Sequence, residues 1–258
     1  MIVTEQEFNL YFKQKNYDYI EDFRVDNAVI LAAGFASRFA PLSYTTPKAL
    51  LPVCGEVLIE RQIRQLLSAG IHEIFVVTGY KQEMFAYLTE KYGVRLIENP
   101  EYASRNNHAS IYAARDVLGN SYICSADNYF TENPFESHVF RSYYSALYAR
   151  GATEEYCLTT DNSGRITDVR IGGADSWYML GHVYWDRAFS KSFLSILKQE
   201  YDLPETKDLL WEKIYMKHLD ALSLYIRKYP DGIIYEFDTL DDLCAFDPSY
   251  EQIRSSLR

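Results

Sequence analysis

The stretch VILAAGFASR at residues 29–38, together with TPKALLP at residues 46–52, is the most informative part of this sequence for its fold. An apolar strand ends at Ala32 and opens into a loop of small side chains, which lets backbone N–H groups approach phosphate oxygens. Arg38 and Lys48 add two cations to that loop. The ordered set of strand, loop, arginine and Pro-Lys predicts a nucleoside triphosphate site. The alternative is an ordinary strand-to-helix turn with a surface arginine and lysine.

Three short motifs carry a family resemblance: LAAG at residues 31–34, SR at residues 37–38 and PK at residues 47–48. In this order they resemble the signature of nucleotidyltransferases that activate phosphorylated small molecules, and most closely that of bacterial CTP:phosphocholine cytidylyltransferases. The resemblance covers residues 27 to about 246. It implies an α/β, Rossmann-like nucleotidyltransferase fold: a mostly parallel mixed sheet flanked by helices, with an acceptor-binding subregion in the second half.

Ala36 departs from the family pattern, because many members carry a second glycine at this position. A positive φ would cost an alanine about 1 kcal/mol relative to glycine. We therefore expect Ala36 to take an ordinary backbone conformation.

The length of 258 residues predicts one large domain with small appendages. No apolar run approaches the roughly 20 residues that a bilayer span needs, and the N-terminus does not look like a signal peptide. We expect a cytoplasmic protein without membrane insertion. The cysteines are scattered without a C-x-x-C pair, which predicts reduced core residues rather than a zinc site or disulfides. They are Cys54, Cys124, Cys157 and Cys244.

The formal net charge of −10 argues against a general nucleic-acid binder. A triphosphate carries about four negative charges near neutral pH, so an acidic protein needs a local positive pocket and a divalent ion to bind it. The composition therefore predicts dependence on Mg²⁺.

Three segments follow from the pattern along the chain: an N-terminal helical extension at residues 1–26, a nucleotidyltransferase domain at residues 27–246 and a tail at residues 247–258. Thr4 and Glu7 form a capping box that begins a helix in the extension. We expect this helix to pack on the main domain or on a partner subunit, which leaves a homo-oligomer open.

From residue 27 onward, short apolar runs alternate with helical periodicity, which predicts βαβ units. Strands are predicted at residues 28–32, 73–77, 94–97 and 122–125, and helices at residues 58–67, 83–92 and 109–117. The second half predicts a hairpin at residues 156–160 and 166–171, helices at residues 188–200 and 207–219, and strands at residues 222–227 and 233–237.

The resemblance assigns three residues to catalysis, namely Arg38, Lys48 and Asp127. Arg38 is the candidate for the departing β- and γ-phosphates, because a planar guanidinium grips several oxygens. Lys48 is the candidate for the α-phosphate and the acceptor phosphate. Asp127 and Asp238 each follow an apolar strand and are the candidate Mg²⁺ ligands. The alternative makes Asp127 a turn former and Asp238 a helix cap.

For the nucleotide, the resemblance implies contacts from two groups of residues. The phosphate loop contributes Leu31, Ala32, Ala33 and Gly34 beside Arg38; base and ribose contacts fall on Gly79, Tyr80, Asn106, Asn107 and Ser110. The two asparagines serve equally well as a turn and a helix cap, and both interpretations stay open.

The chain has 23 tyrosines and three tryptophans, and aromatic faces bind quaternary ammonium groups. By resemblance, Tyr156 and Trp211 occupy acceptor-site positions, and Glu212 or Glu236 supplies a carboxylate for the cation. Further candidates are Tyr129 and Tyr184, with core packing as the alternative for each aromatic.

The sequence thus predicts an enzyme with CTP and phosphocholine as its partners. It would transfer CMP to phosphocholine by Mg²⁺-assisted in-line attack on the α-phosphate, giving CDP-choline and pyrophosphate. The alternatives are a transferase of the same fold acting on a sugar 1-phosphate or phosphoethanolamine, and a catalytically inactive nucleotide-binding module.

Overall fold

The fold is built on a seven-stranded mixed sheet, which a computed structural model describes over residues 3–251. The strands in this part of the chain are β1 (Asn27–Leu31), β2 (Pro52–Val53), β3 (Glu56–Val57), β4 (Ile74–Thr78), β5 (Arg95–Glu98), β6 (Ser121–Ser125), β7 (Asn128–Phe130), β8 (Tyr143–Thr160), β9 (Ile166–Trp185), β10 (Tyr225–Lys228) and β11 (Ile234–Glu236).

The strand order in the large sheet is β10-β8-β9-β6-β1-β4-β5. Strand β1 lies between β4 and β6 and is parallel to both, and β5 and β10 also pair in parallel with their neighbours. Only β9 runs antiparallel, to β6 on one side and β8 on the other. Because central parallel strands are covered on both faces, β1 and β4 read as apolar runs and are almost fully buried. The predicted fold class is confirmed.

Helices cover the sheet and connect its parallel strands. They are α1 (Glu5–Lys13), α2 (Leu42–Thr45), α3 (Leu58–Ser68), α4 (Tyr87–Tyr92), α5 (His108–Ala113), α6 (Arg187–Glu200), α7 (Trp211–Lys217) and α8 (Leu240–Phe246). Within residues 3–251 no helix is both long and apolar enough to cross a bilayer.

The predicted helix at residues 207–219 is shorter in the structure, where α7 begins only at Trp211. The side chain of Asn107, far away in the sequence, accepts a hydrogen bond from the Trp211 backbone N–H at 2.7 Å. A donor that the helix itself leaves unpaired is thereby satisfied, which fixes the helix start at this residue.

The hairpin of the second half is much longer than the sequence predicts, since β8 has 18 residues and β9 has 20. The predicted period-2 segments form only its far end. The hairpin curls, because Cys157 pairs with both Arg170 and Tyr178 across a series of register shifts. Its tip contacts β10 through a bridge between Arg165 and Tyr225.

The N-terminal extension packs on the main body. Thr4 and Glu7 form the predicted capping box, with the Thr4 N–H donating to Glu7 at 2.9 Å. Phe8 is buried, and its ring packs on Phe23 at 5.2 Å and on Phe140 at 5.5 Å between centroids. The Phe8 side chain of α1 is therefore part of the hydrophobic interior.

The beginning of the predicted tail also packs on the domain. Tyr250 is buried, and its hydroxyl donates to the Pro52 carbonyl at 2.6 Å. The packing thus continues past residue 246, and residues 252–258 lie outside the described part of the chain.

The prediction of core cysteines holds for Cys124, Cys157 and Cys244, which are buried, and is wrong for Cys54, which is exposed. Cys54 lies in the two-residue turn between β2 and β3, where φ is 50° at Cys54 and 84° at Gly55. A tight hairpin turn of this kind needs positive φ at both central residues and projects them into solvent.

Candidate active site

A cavity of about 510 Å³ opens at the carboxyl ends of β1 and β6. Parallel sheets bind ligands at this edge because the strand-to-helix loops converge there. Its wall includes predicted residues from both halves of the chain, namely Leu31, Ala32, Ala33, Gly34, Arg38, Lys48, Asn106, Asn107, Ser110, Asp127, Tyr156, Glu212, Glu236 and Asp238.

The loop after β1 turns through Ala36, which has φ of 52° and ψ of 56° and is left-handed. The expectation of an ordinary conformation at Ala36 is therefore wrong. The residue precedes a 3₁₀ turn at Ser37–Phe39, and the Phe39 side chain is fully buried. Burial of Phe39 holds the loop in a shape that costs an alanine about 1 kcal/mol.

Both predicted cations are paired with the predicted metal carboxylates. Lys48 Nζ lies 2.8 Å from Asp127 Oδ2 and donates to the Phe237 carbonyl at 2.6 Å. Arg38 Nη2 lies 2.7 Å from Asp238 Oδ1. The lysine pair is largely buried, whereas the arginine side chain is 63% exposed.

Asp127, Glu236 and Asp238 form an acidic cluster whose ligand oxygens all lie within 4.8 Å of one another. Asp127 Oδ1 is buried without a hydrogen-bond partner among the described residues, so it has an unused lone pair. Burial, together with the charges of Asp127 and Asp238, raises the pKa of Glu236 well above its usual value. Such a cluster of oxygen ligands fits a hard divalent cation.

The alternative that makes Asp238 a helix cap does not match the structure. The cap of α8 is Thr239, whose side chain accepts from the Asp242 N–H in a capping box. Asp238 instead turns toward the cavity and pairs with Arg38.

Asn106 and Asn107 line the cavity, yet their carboxamides are occupied. Asn106 donates to the Asp208 carbonyl at 3.1 Å and accepts from the Asn107 N–H at 2.8 Å. Asn107 accepts from the Trp211 N–H and donates to Glu212 Oε2 at 3.3 Å. These contacts match the interpretation of the two asparagines as turn and cap residues. The helix start that Asn107 caps is that of α7.

Gly79 and Tyr80 do not line the cavity. A Cβ atom at Gly79 would lie 2.6 Å from Tyr102 Cβ, so glycine is needed for the close approach of Tyr102, which does line it. The Tyr80 N–H donates to the Ala33 carbonyl at 3.0 Å, and its hydroxyl donates to the Ser43 carbonyl at 2.9 Å. Both residues support the cavity wall from behind.

The part of the cavity that is predicted to bind the acceptor is acidic and partly aromatic. Glu212 accepts from the Tyr144 hydroxyl at 3.2 Å and from Asn107. Loss of hydration through burial raises the pKa of Glu212 to about 7, and among the described residues it has no salt-bridge partner. Tyr156 stands beside it, with Lys213 Nζ 5.2 Å from the centre of its ring.

Three aromatic residues of the predicted acceptor set lie outside the cavity lining: Tyr129, Tyr184 and Trp211. Trp211 is 3% exposed and stacks behind Tyr144 at 5.7 Å between centroids. Tyr184 is fully buried against Tyr122, and the ring of Tyr129 packs under the Arg61 guanidinium. Their large apolar area is used in the core, as the alternative held.

The lining residues that the sequence interpretation missed include Asn99, Tyr102, Arg105, Tyr144 and Glu155. Arg105 could have been noticed from its i, i+4 spacing to Glu101, with which it pairs at 2.8 Å. Tyr144 and Glu155 had no local signal, because they reach the cavity only through the curl of the long hairpin.

Known proteins resemble this chain in sequence over most of its length. A family model described as the MobA-like NTP transferase domain matches residues 28–162. The choline-phosphate cytidylyltransferase of Streptococcus pneumoniae is 36% identical over 215 residues, which cover 83% of this chain and 94% of the relative. The 2-aminoethylphosphonate cytidylyltransferase of Lancefieldella rimae is 39% identical over 228 residues, with 87% and 93% covered.

A solved structure of one of these relatives has the same fold as this chain. The CTP:phosphocholine cytidylyltransferase from Streptococcus pneumoniae superimposes with a TM-score of 0.82 and 35% identity. The match covers 91% of this chain and 100% of that one.

Proposed function

The chain belongs to the MobA-like NTP transferase domain family, and on that premise we propose that it transfers CMP from CTP to phosphocholine, giving CDP-choline and pyrophosphate. The observation that carries the proposal is the charge layout of one cavity. Cations and metal-type carboxylates line one part of it, and Glu212, a carboxylate with no salt-bridge partner in the described part of the chain, lines another. This layout suits an acceptor with a phosphate at one end and a positive charge at the other.

In the proposed reaction an oxygen of the acceptor phosphate forms a bond to the α-phosphorus, and the bond from the α-phosphorus to its bridging oxygen breaks. Pyrophosphate leaves with the electron pair, and no proton has to move. The chain therefore contributes position and charge rather than a nucleophile. Lys48 holds the α-phosphate near the acceptor phosphate, and Arg38 binds the β- and γ-phosphates as their charge grows.

Asp127 and Asp238, with Glu236 beside them, are the residues that would hold Mg²⁺. When bound, the ion neutralises phosphate oxygens that would otherwise repel one another.

At the acceptor end, Glu212 is the binding partner for the ammonium group. Keeping a carboxylate away from water without a cation is costly, and an ammonium from the substrate removes that cost. The rings of Tyr144 and Tyr156 line the same wall and offer faces to the methyl groups.

A second candidate acceptor is 2-aminoethylphosphonate, the substrate named for the relative with 39% identity. Glu155 and Glu212 both line the cavity, and a primary ammonium would donate hydrogen bonds to these carboxylates, which a quaternary ammonium cannot do. Both acceptors share the phosphorus-bound oxyanion and the positive end.

The test is pyrophosphate release with CTP and Mg²⁺, measured in parallel with phosphocholine, 2-aminoethylphosphonate, phosphoethanolamine and glucose 1-phosphate. The expected result is the highest kcat/KM for phosphocholine, and much lower turnover when UTP or dTTP replaces CTP. A higher value for 2-aminoethylphosphonate would select the second candidate. Turnover with the sugar phosphate alone would reject both. CTP binding without turnover of any acceptor would favour the inactive nucleotide-binding module.

A further inference from the structure

Tyr80 contacts both arms of the loop that carries Arg38. Its backbone N–H donates to the carbonyl of Ala33, at the start of the segment 33–43, and its hydroxyl donates to the carbonyl of Ser43 in α2, at the end of that segment. Its ring packs edge-on against Phe35, with centroids 4.8 Å apart. A single residue, two positions after the end of β4, thus connects the two ends of the segment 33–43.

The segment between these two hydrogen bonds needs such support. Ala36 is held in the left-handed region, and the Arg38 side chain is 63% exposed. A long exposed side chain samples many rotamers, so the reach of its guanidinium depends on where the backbone places its Cα. Phe39 fixes the inner face of the segment through burial, whereas its outer face is fixed by Tyr80 and Phe35.

Tyr80 stays behind the cavity wall and does not line it. We propose that Tyr80 is a positioning residue, which holds segment 33–43 in the shape that lets Arg38 reach the β- and γ-phosphates of CTP. The nucleotide side of this inference rests on the proposed function. The influence of Tyr80 on CTP passes through Arg38, and that dependence is measurable.

The test is a double-mutant cycle with Tyr80→Phe and Arg38→Ala, read as CTP affinity by calorimetry in the presence of Mg²⁺ and as kcat/KM for CTP. Loss of one neutral hydrogen bond predicts a roughly fivefold loss of CTP affinity in Tyr80→Phe. In the Arg38→Ala background the same substitution is expected to have no further effect, because the residue through which it acts is gone. The KM for the acceptor stays unchanged.

Tyr148→Phe is the matched control. Tyr148 also donates its hydroxyl to a backbone carbonyl, that of Asp175 at 2.8 Å, but it lies on the hairpin outside the cavity lining. We expect this variant to bind CTP like the unaltered protein. Thermal unfolding of all variants shows whether a change reflects lost structure.

Two results would overturn the inference: an unchanged CTP affinity in Tyr80→Phe, or an equal loss in both backgrounds. Equal losses would mean that Tyr80 acts on the nucleotide without Arg38. The proposed function can fail separately from this inference. If the unaltered protein binds CTP but turns over no acceptor, the proposed function is wrong, while the double-mutant cycle can still be measured as CTP affinity. If the unaltered protein binds no nucleoside triphosphate, both proposals fall.

Discussion

The two ends of the cavity, as we call the parts proposed to bind the nucleotide and the acceptor, differ in how their charges are paired. At the nucleotide end, Lys48 and Arg38 are each within 2.8 Å of a carboxylate, so the charges compensate one another inside the protein. At the acceptor end, Glu212 receives hydrogen bonds from Tyr144 and Asn107, and its charge has no salt-bridge partner among the described residues.

Because of this difference, we expect the two ends to bind their ligands in different ways. Compensated charges have to exchange partners: a divalent cation takes the carboxylates, and the phosphates take the cations that are set free. An uncompensated carboxylate needs no exchange and attracts a cation directly. The ends should therefore respond differently to removal of a single charge.

Removal of the Lys48 charge is expected to have the largest effect. Lys48→Ala leaves Asp127 buried without its cation and takes a positive charge away from the α-phosphate, so kcat should fall on the order of 10³-fold. Steady-state kinetics with saturating CTP measure this. Circular dichroism checks that the variant is folded. A folded variant that keeps more than a tenth of the activity would contradict the role of Lys48.

Arg38→Ala tests the same compensated end in a second way, because it releases the metal-type carboxylate of Asp238. We expect kcat/KM for CTP to fall about 10²-fold, since the departing phosphates lose a donor. Without nucleotide, the same variant should bind Mn²⁺ up to about fivefold more tightly, because Asp238 loses an exposed ion-pair partner. Electron paramagnetic resonance of free Mn²⁺ measures this, with Arg38→Lys as the charge-preserving control. Weaker Mn²⁺ binding in Arg38→Ala would disprove the exchange.

Glu212→Gln tests the uncompensated end. The shape is kept while the charge is lost, so KM for the acceptor should rise about thirtyfold, which corresponds to roughly 2 kcal/mol. KM for CTP should stay the same. Glu205→Gln, an exposed position outside the cavity, is the matched control. Equal changes in both KM values would mean that the two ends are not separate.

The pH dependence of acceptor binding also tests the role of Glu212, with a weaker effect than the substitutions. The pKa of Glu212 is raised to about 7 by burial, so the charged form that binds a cation prevails above pH 7 and is lost below it. KM for the acceptor should be about tenfold higher at pH 6 than at pH 8.

The acceptor phosphate also titrates near pH 6 and contributes to that profile. Glu212→Gln, which retains the titration of the substrate and of the other cavity carboxylates, is the reference. A profile that is the same in both proteins would remove Glu212 from the acceptor site.

The charged residues at the nucleotide end were the part of the site that the sequence could predict. Arg38, Lys48, Asp127 and Asp238 follow recognisable strands or motifs, and the fold brings them into one cavity even though Arg38 and Asp238 are 200 residues apart. Their roles in the reaction stay predictions. A motif predicts these charged residues well, because binding of phosphate requires charged side chains at fixed positions in a short stretch of sequence.

The acceptor end was harder to predict for a physical reason. An aromatic residue has the same composition signal whether it packs in a core or lines a pocket, and Trp211 and Tyr184 pack in the core. Asn107 has its decisive partners about a hundred residues later, at Trp211 and Glu212. Ala36 takes its strained conformation because of tertiary packing, against its own local preference.

The packing of the N-terminal extension has a practical consequence for anyone who shortens this chain. Phe8 is packed between Phe23 and Phe140, and Tyr17 stacks on His138 at 4.7 Å. A recombinant fragment trimmed to the start of the family match at residue 28 would lack Phe8, Tyr17 and Phe23 and would expose the rings of His138 and Phe140 to water, which favours aggregation. Purification tags are better attached ahead of this segment than in place of it.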